Sequence, residues 1–299
     1  MILFLLAVLL QAQPPDTEIF LAPLSIRDGK VAVGEPVNVT NSPGYDNQPS
    51  FAPDGGSILF TSIRGGATTD IYRYDIASRQ TIRVTETPEA EYSPTVTPDG
   101  RHFSVIRVEA DGAQRLWRFT REGTNAEVVL TDVKPVGYHA WVDERTVALF
   151  VLGQPATLQV ANTTTGKADV VARDIGRSLQ RMPGRGTVSF VARERPEGGG
   201  AATLSIRELD PRTRQVTPLV RAVAGAAEAD LAWTPDGTLL MAHGGALYAW
   251  RRGDTEWTRA ADLEALGLRG VSRLAVGPNG DRLAIVASAP LSPQSPRDP

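Results

Sequence analysis

The feature that most constrains the fold of this chain is a strand-turn-strand pattern centred on Pro-Asp-Gly, because the pattern recurs. It occurs in SFAPDGGSILFTS (50–62), TVTPDGRHFSVI (95–106) and AWTPDGTLLMA (232–242), and AVGPNGDRLAIVA (275–287) has Asn in place of Asp. Pro presets φ, Asp or Asn bonds its own backbone, and Gly takes a positive φ, so each segment predicts two strands joined by a tight turn. Spaced matches of this kind indicate a repeat protein.

An apolar run follows each turn and marks the second strand of a repeat. The six runs are 58–60, 103–106, 147–152, 188–192, 239–242 and 283–287. The first two begin 45 residues apart and the last two begin 44 apart. A four-stranded repeat of about 40–50 residues is typical of β-propeller blades.

Third and fourth strands complete five of the six repeats. The third strands are DIYRYD (70–75), RLWRFT (115–120), TLQVAN (157–162), TLSIRE (203–208) and ALYAWR (246–251), and each is followed by a shorter fourth strand. The sixth repeat has only its first two strands, and EIFLAP (18–23) and EPVNVT (35–40) resemble the missing pair. Pairing the two ends of a ring removes free sheet edges. We therefore predict an all-β, six-bladed β-propeller of four-stranded antiparallel blades, with the last blade closed by the N-terminal strands.

The two ends of the chain differ from the repeats in composition. The apolar run 2–10 is too short for a membrane span, which needs about 20 residues, and small and polar residues follow it, as in a secretory signal peptide. A buried first strand is the alternative, which the following Pro14-Pro15 disfavours. The Pro- and Ser-rich C-terminal segment has the composition of a disordered tail. We expect a signal peptide over 1–15, a propeller domain over 16–289, a tail over 290–299, and a periplasmic or secreted location.

Composition excludes several kinds of function. The 299 residues include no cysteine, which rules out disulfides, thiolate metal sites and cysteine nucleophiles. The net charge is −3 and is spread along the chain, so no nucleic-acid partner is expected. The Gly-x-Ser-x-Gly motif of serine hydrolases is absent from the sequence, which argues against an enzyme of the prolyl-oligopeptidase kind.

The repeats resemble those of the TolB-like propellers, whose blades carry Pro-Asp-Gly between the first and second strands and Asp-Ile-Tyr in the third. The best copy is QPSFAPDGGSILFTSIRGGATTDIYRYD (48–75), and YSPTVTPDG (92–100) is the next. The third and fourth repeats depart from the pattern, with VDERT and PGRGT at the turn. The resemblance covers nearly the whole mature chain and only the propeller part of the family.

This resemblance implies structural roles for several charged residues. Arg64 is expected to pair with Asp70 across the turn between second and third strands. The turn aspartates Asp54, Asp99 and Asp236 are expected to close their own turns, which leaves them unavailable for chemistry. The family also implies that a protein or ligand binds at one mouth of the central channel.

Candidate binding residues come from the segments that lead into the first strands. When the repeats are aligned on their turns, Asp46, Glu91 and Glu228 fall at equivalent places, with Tyr92, Tyr138 and Asp230 nearby. His139 lies on a first strand and is the one histidine expected to face the channel. In a propeller these segments converge on one mouth, where carboxylates would focus negative potential and aromatic rings would supply contact area. The alternative is that these acids simply begin strands in solvated loops.

The sequence therefore favours a non-enzymatic, exported binding or scaffold module in a bacterial envelope. Its expected partner is an envelope protein, a peptide or a glycan, and we expect a monomer with no membrane span after signal cleavage. No cofactor is expected, since no two histidines have the spacing of metal ligands on a helix. The alternative is a propeller enzyme, a lyase or hydrolase, that uses carboxylates or a divalent cation in the channel, with metal ligands drawn from separate blades.

Overall fold

The computed structural model of the chain describes residues 14–27, 29–64, 68–196 and 198–289. The predicted tail lies outside these residues, and so does the predicted signal peptide apart from Pro14 and Pro15. The described residues form 25 strands and no helix. A helical membrane span is accordingly not found in this part of the chain.

The N-terminal part of the chain forms three strands, which are followed by blades 1 and 2. The first three are β1 (Thr17–Arg27), β2 (Lys30–Val33) and β3 (Val37–Asn38). Blade 1 contains β4 (Asp46–Phe51), β5 (Ser57–Ser62), β6 (Asp70–Asp75) and β7 (Gln80–Arg83). Blade 2 contains β8 (Ala90–Val96), β9 (His102–Val108), β10 (Gln114–Thr120) and β11 (Glu127–Val128).

Three more blades follow in sequence order, and the last two strands belong to blade 6. Blade 3 contains β12 (Val136–Trp141), β13 (Thr146–Val151), β14 (Thr157–Asn162) and β15 (Ala168–Arg173). Blade 4 contains β16 (Ile175–Arg181), β17 (Val188–Glu194), β18 (Thr203–Leu209) and β19 (Val216–Arg221). Blade 5 contains β20 (Leu231–Trp233), β21 (Thr238–His243), β22 (Ala246–Arg251) and β23 (Thr258–Asp262). The last two strands are β24 (Arg273–Val276) and β25 (Arg282–Ser288).

The strands form six antiparallel sheets in a ring, which confirms the predicted all-β six-bladed propeller. Within blades 1 to 5 the strands are hydrogen-bonded in sequence order, with the first strand innermost, and in blade 6 β24 is innermost and β25 lies next to it. First strands of neighbouring blades contact each other at five of the six junctions, including the contact of β24 with β4; at the sixth, β12 of blade 3 contacts β9 and β10 of blade 2. Blade 6 therefore lies beside blade 1 and opposite blade 3.

Blade 6 is closed by the N-terminal strands, as predicted. β25 pairs with β1 from Thr17 opposite Ser288 to Pro23 opposite Arg282. The outer strands of the blade differ from the prediction, because β1 (Thr17–Arg27) is longer than the strand expected over 18–23. The far end of β1 turns back at Gly29, which has a φ of +76°, and pairs with β2. The part of β1 that pairs with β25 is therefore flanked on its outer side only by β3, which has two residues.

The Pro-Asp-Gly turns are closed by their own aspartates. The backbone N–H two residues further on donates to the Oδ1 of Asp54 at 2.9 Å, of Asp99 at 3.0 Å and of Asp236 at 3.2 Å. Asp143 does the same at 2.8 Å in the divergent turn of blade 3. The predicted scaffolding role of the turn aspartates is therefore confirmed.

The hydrophobic core lies between successive blades, because the second strands are buried on both faces. Between blades 5 and 6, for example, Leu240 and Leu247 pack in one cluster with Leu283 and Ile285 of β25 and Phe20 of β1. Burying a side chain of this size contributes about 1.5–3 kcal/mol. The ring is thus held together by apolar contacts that each blade makes with both of its neighbours.

Tryptophans at the ends of two first strands add polar links between blades. The Nε1–H of Trp141 in blade 3 donates to Ser104 Oγ in blade 2 at 2.8 Å. The Nε1–H of Trp233 in blade 5 donates to Ser189 Oγ in blade 4, also at 2.8 Å. Both serines are fully buried, so these bonds fix the first strands that surround the channel.

Candidate functional site

The first strands of all six blades surround a central cavity of about 530 Å³. Its walls are residues 48–53, 93–98, 138–141, 177–181, 230, 232–233, 273–276 and 278. The ring has two faces. The inlet face is the side on which the first strands begin, and the turn face is the side that carries the turns between first and second strands.

Irregular first strands direct polar side chains into this cavity. The pairing register shifts between Asn47 and Ser50, between Tyr92 and Thr95, between Val136 and Tyr138, and between Ile175 and Leu179. A β-bulge inserts an unpaired residue and re-aims its neighbours. Gln48, Ser93, Tyr138 and Arg177 lie at these four shifts, and all of them line the cavity.

Arg273 of β24 reaches across the channel. Its Nη2 donates to the hydroxyl oxygen of Tyr138 at 2.8 Å, and its guanidinium lies 5.0 Å from the centre of the Tyr138 ring. Its Nε donates to Asn47 Oδ1 at 2.8 Å, and its Nη1 to Asp230 Oδ2 at 3.2 Å. Because Tyr138 belongs to the opposite blade, this one side chain links two sides of the ring.

Sequence reasoning missed Arg273, although a signal was present. Gln48, Ser93, Asp230 and Arg273 each lie five residues before the proline of their turn. The four positions therefore form one ring of polar side chains around the channel, and all four line the cavity. Aligning the repeats at this position would have identified Arg273.

The cavity is predominantly cationic, so the expected negative potential is wrong for it. Its charged lining residues are Arg177, Arg181, Arg273 and Asp230. Asp230 lies 3.2 Å from the Nη1 of Arg273 and 4.0 Å from the Nε of Arg177. Burial raises the pKa of Asp230, and the two guanidinium groups oppose that change.

Asp46 and Glu91, predicted as binding residues at the mouth, are buried instead. Asp46 is 1% exposed and pairs with the Nη2 of Arg64 at 3.1 Å. Glu91 is 0% exposed and accepts hydrogen bonds from Thr85 Oγ1 at 3.1 Å and from Thr87 Oγ1. The loops around them fold over these carboxylates, so neither is exposed at the mouth. Neither residue lines the cavity.

The expected pair between Arg64 and Asp70 is also wrong. Arg64 bonds to Asp46, and Asp70 pairs with the Nη2 of Arg83 at 2.8 Å. The register explains the exchange: Arg83 ends β7 opposite Tyr72 of β6, two residues from Asp70. Asp70 thus finds its cation on the neighbouring outer strand.

The other predicted binding residues fall into two groups. Tyr138, His139 and Asp230 line the cavity together. Tyr92 is half-buried against the apolar cluster that joins blades 2 and 3, and it does not line the cavity. Glu228 is exposed, pairs with Arg193 at 2.6 Å, and lies outside the cavity as well.

His139 is buried beside Ser104. It is 8% exposed, and its Nε2 lies 2.7 Å from the Oγ of Ser104. Burial lowers the pKa of His139 to about 4, so its ring is neutral at pH 7. Its Nδ1 has no hydrogen-bond partner among the residues that the structure describes. Within those residues, no three His, Cys, Asp or Glu side chains are grouped so that they could hold a metal ion.

The burial of Glu91 predicts a pH-dependent stability. Burial raises the pKa of Glu91 to about 7, from 4.5. The folded state therefore binds more protons than the unfolded state between these two values, and the free energy of unfolding falls as the pH rises from 4.5 to 7. At about 1.36 kcal/mol per pKa unit, the loss is up to about 3 kcal/mol. We expect Glu91→Gln to reduce this loss and to be more stable than the parent at pH 8, as measured by urea unfolding at pH 5 and pH 8.

The matched control for this measurement is Glu86→Gln, because the Glu86 side chain is 81% exposed. This variant should keep the pH dependence of the parent. Equal pH dependence in the parent and in the Glu91→Gln variant would show that Glu91 titrates normally.

Comparison with known proteins gives structural likeness at low sequence identity. No family model matches the chain. A putative TolB from Agrobacterium tumefaciens superimposes with a TM-score of 0.69 at 17% identity, over 93% of this chain and 99% of that one. TolB from Acinetobacter baumannii gives a TM-score of 0.59 at 12% identity, over 90% of this chain and 64% of that one. The chain thus spans less than two thirds of the Acinetobacter protein.

An enzyme shares the same architecture. Oligogalacturonate lyase from Vibrio parahaemolyticus matches with a TM-score of 0.51 at 13% identity, over 93% of this chain and 99% of that one. At these identities the likeness shows the fold alone, and at that level it confirms the expected resemblance to TolB-like propellers. Since one fold can support binding and catalysis, function must be argued from the channel itself.

Proposed function

We propose that this chain is an exported, non-enzymatic propeller of the bacterial envelope that binds a protein or peptide in its central channel. The observation that carries the proposal is the cavity of about 530 Å³ walled by the first strand of every blade. Ligand sites are typically concave, about 300–1,000 Å³ in volume, and supplied with a few placed polar groups. Tyr138, His139, Asp230 and Arg273 are such groups here.

The polar groups of the channel are held in fixed positions, which favours recognition. Arg273 is anchored by Asn47, Tyr138 and Asp230. His139 is positioned by Ser104, which also accepts the bond from Trp141. Side chains that are already ordered lose little conformational entropy when a ligand binds.

Export and a monomeric state are parts of the same proposal. The apolar segment 2–10 and the residues after it support export, because they match a signal peptide. The large apolar side chains that are exposed in the described part of the chain support a monomer, because they are scattered rather than grouped into one patch. They are Val37, Ile82, Val128, Leu152 and Val170, and they lie on four different blades.

Filling the channel tests the proposed function. Ser50 and Gln180 line the cavity from opposite blades, so Ser50→Trp and Gln180→Trp each place an indole in it. A tagged chain, recovered from the periplasm by osmotic shock, is used to capture its partner from an envelope extract. We expect both variants to capture at least tenfold less partner than the parent, because the indole occupies the ligand's space.

The control is Gln80→Trp, which adds the same side chain at an exposed position of the outermost strand of blade 1. It should capture as much partner as the parent. Folded Ser50→Trp and Gln180→Trp variants that capture normally would contradict binding in the channel. Recovery of the unprocessed chain from the cytoplasm would contradict export.

A further inference from the structure

The cavity extends to one side of Arg273 only. Its walls begin at the level of Gln48, Ser93 and Arg273, and they end at the turn prolines, which are Pro53, Pro98 and Pro278. Residues on the inlet side of that level, such as Tyr45 and Asn47, do not line it. A strand rises about 3.3 Å per residue, so the five residues from Arg273 to Pro278 span about 16 Å.

Tyrosine side chains lie close to Arg273 on its inlet side. Arg273 itself is bonded to Tyr138 across the channel, and its side chain is 13% exposed. Burial raises the pKa of Tyr45 to about 12, and Tyr92 and Tyr138 lie close enough to add to that rise. The cavity therefore lies on the turn-face side of Arg273, which forms its floor.

The floor of the pocket carries more positive than negative charge. The guanidinium groups of Arg177 and Arg273 both approach one carboxylate, that of Asp230. The Arg273 side chain is 13% exposed and that of Arg177 is 33% exposed, and a charge that is partly removed from water is costly unless it is paired. One carboxylate cannot neutralise two cations, so the floor favours a second anion.

Hydrogen-bond donors remain available for such an anion. A guanidinium has five N–H groups, and Arg273 uses three of them on Asn47, Asp230 and Tyr138. The Nε of Arg177 is buried and lies 4.0 Å from Asp230, but it makes no hydrogen bond with any described residue, and its Nη2 makes a single long contact of 3.4 Å to Ser272 O.

Two neutral side chains add to the hydrogen-bonding capacity of the pocket. The Oγ of Ser93 and the Nδ1 of His139 are both without partners in the described part of the chain, and both residues line the pocket. His139 is 8% exposed, so its free nitrogen is held in place by the surrounding protein.

We propose that this pocket binds a carboxylate, carried by an extended peptide that enters from the turn face, and that Arg177 and Arg273 hold the carboxylate at the floor. This inference rests on the proposed function and specifies its ligand. Guanidinium groups suit the geometry of a carboxylate and bind it through charge-assisted hydrogen bonds. A depth of about 16 Å accommodates about five extended residues. Pro53, Pro98, Trp141 and Trp233 supply apolar wall for the chain behind the carboxylate.

Three peptides test the carboxylate preference. They are N-acetylated penta-alanine with a free C-terminal carboxylate, the same peptide as its C-terminal amide, and the amide with its last residue replaced by aspartate. Isothermal titration calorimetry should show at least tenfold tighter binding of one or both carboxylate peptides than of the plain amide. The tighter of the two identifies the source of the carboxylate as a chain terminus or an acidic side chain.

Arg177→Gln should weaken binding of the preferred peptide at least tenfold, whereas Arg193→Gln, which removes an arginine paired with Glu228 outside the pocket, should not. Equal affinity for acid and amide, no binding of any peptide, or unchanged affinity in folded Arg177→Gln would overturn the inference. Those results would leave the proposed function intact if the channel-filling variants still lost their partner. Normal capture by the filled variants would instead contradict the proposed function itself.

The direction of entrance is tested by labelling, which the absence of cysteine from the chain makes specific. Arg181→Cys places a thiol where the pocket opens, and Ala227→Cys places one in an exposed inlet-face loop. A bulky maleimide at residue 181 should lower peptide affinity at least tenfold relative to the unlabelled variant, and the same label at residue 227 should leave affinity unchanged. The reverse pattern, or no effect at either position, would overturn a pocket that opens at the turn face.

Discussion

A chain that starts at residue 41 will not fold cooperatively, because it lacks the strands that close the ring. β1 covers β25 over its whole length and contributes Ile19, Phe20, Ala22 and Leu24 to the core. Each large apolar side chain contributes about 1.5–3 kcal/mol, while the net stability of a domain is about 5–15 kcal/mol. Loss of three such side chains and a full ladder of hydrogen bonds therefore removes most of that margin. Circular dichroism should show no cooperative thermal transition, and the truncated chain should aggregate through its open sheet edges.

Two controls separate closure from a general effect of truncation. A chain that ends at Ala289 should melt as the parent does. A synthetic peptide of residues 16–40, added to the truncated chain, should restore a cooperative transition. A soluble, monomeric chain starting at residue 41 that melts cooperatively on its own would refute the role assigned to β1.

Replacing Arg107 with leucine will lower the free energy of unfolding by about 3–5 kcal/mol, the usual cost of removing one partner of a buried ion pair. Arg107 is 9% exposed, pairs with Glu89, and lies 3.6 Å from a carboxylate oxygen of Glu91. Its guanidinium also lies 4.8 Å from the centre of the Trp117 ring. Leucine preserves some of the apolar packing but leaves Glu91 buried without its cation. Denaturant unfolding at pH 8 should show the loss, which corresponds to a fall in melting temperature on the order of 10 °C.

A matched exposed pair supplies the comparison. Arg118 pairs with Glu127 at 2.7 Å, with 43% and 58% of the two side chains exposed. Arg118→Leu should therefore cost at most about 1 kcal/mol. Adding Glu91→Gln to Arg107→Leu should recover part of the loss, since it removes the unpaired charge. Equal costs for Arg107→Leu and Arg118→Leu would show that the buried network has no special contribution.

The fold could be predicted from the sequence because its determinants are local. Asp54, Asp99 and Asp236 each close a turn by bonding to the backbone two residues further on. Such turns can be recognised directly from the sequence. The closing strand was predictable as well, since the incomplete last repeat and the surplus strands at the N-terminus complement each other.

The site was less predictable because its contacts join distant parts of the chain. Asp46 begins a strand, and an aspartate at such a place can be either solvated or buried; its partner Arg64 lies 18 residues further along. Arg273 meets Tyr138 across 135 residues, a contact that depends on the ring having six blades. Tyr138, His139 and Asp230, which were predicted as binding residues, do line the cavity, because they belong to first strands or lie directly before one.

The pairing of Thr17 with Ser288 also determines the order in which the molecule can assemble. Blades 1 to 5 pair strands that follow one another closely, so each can form soon after its own residues have been made. Of the 25 described strands, β1 is synthesised first and cannot form its pairing with β25 until that strand, the last of them, has been synthesised. Bringing such remote segments together is slow, because chain entropy is lost before any contact compensates for it. Ring closure is thus the late kinetic step, because it cannot occur before β25 has been synthesised.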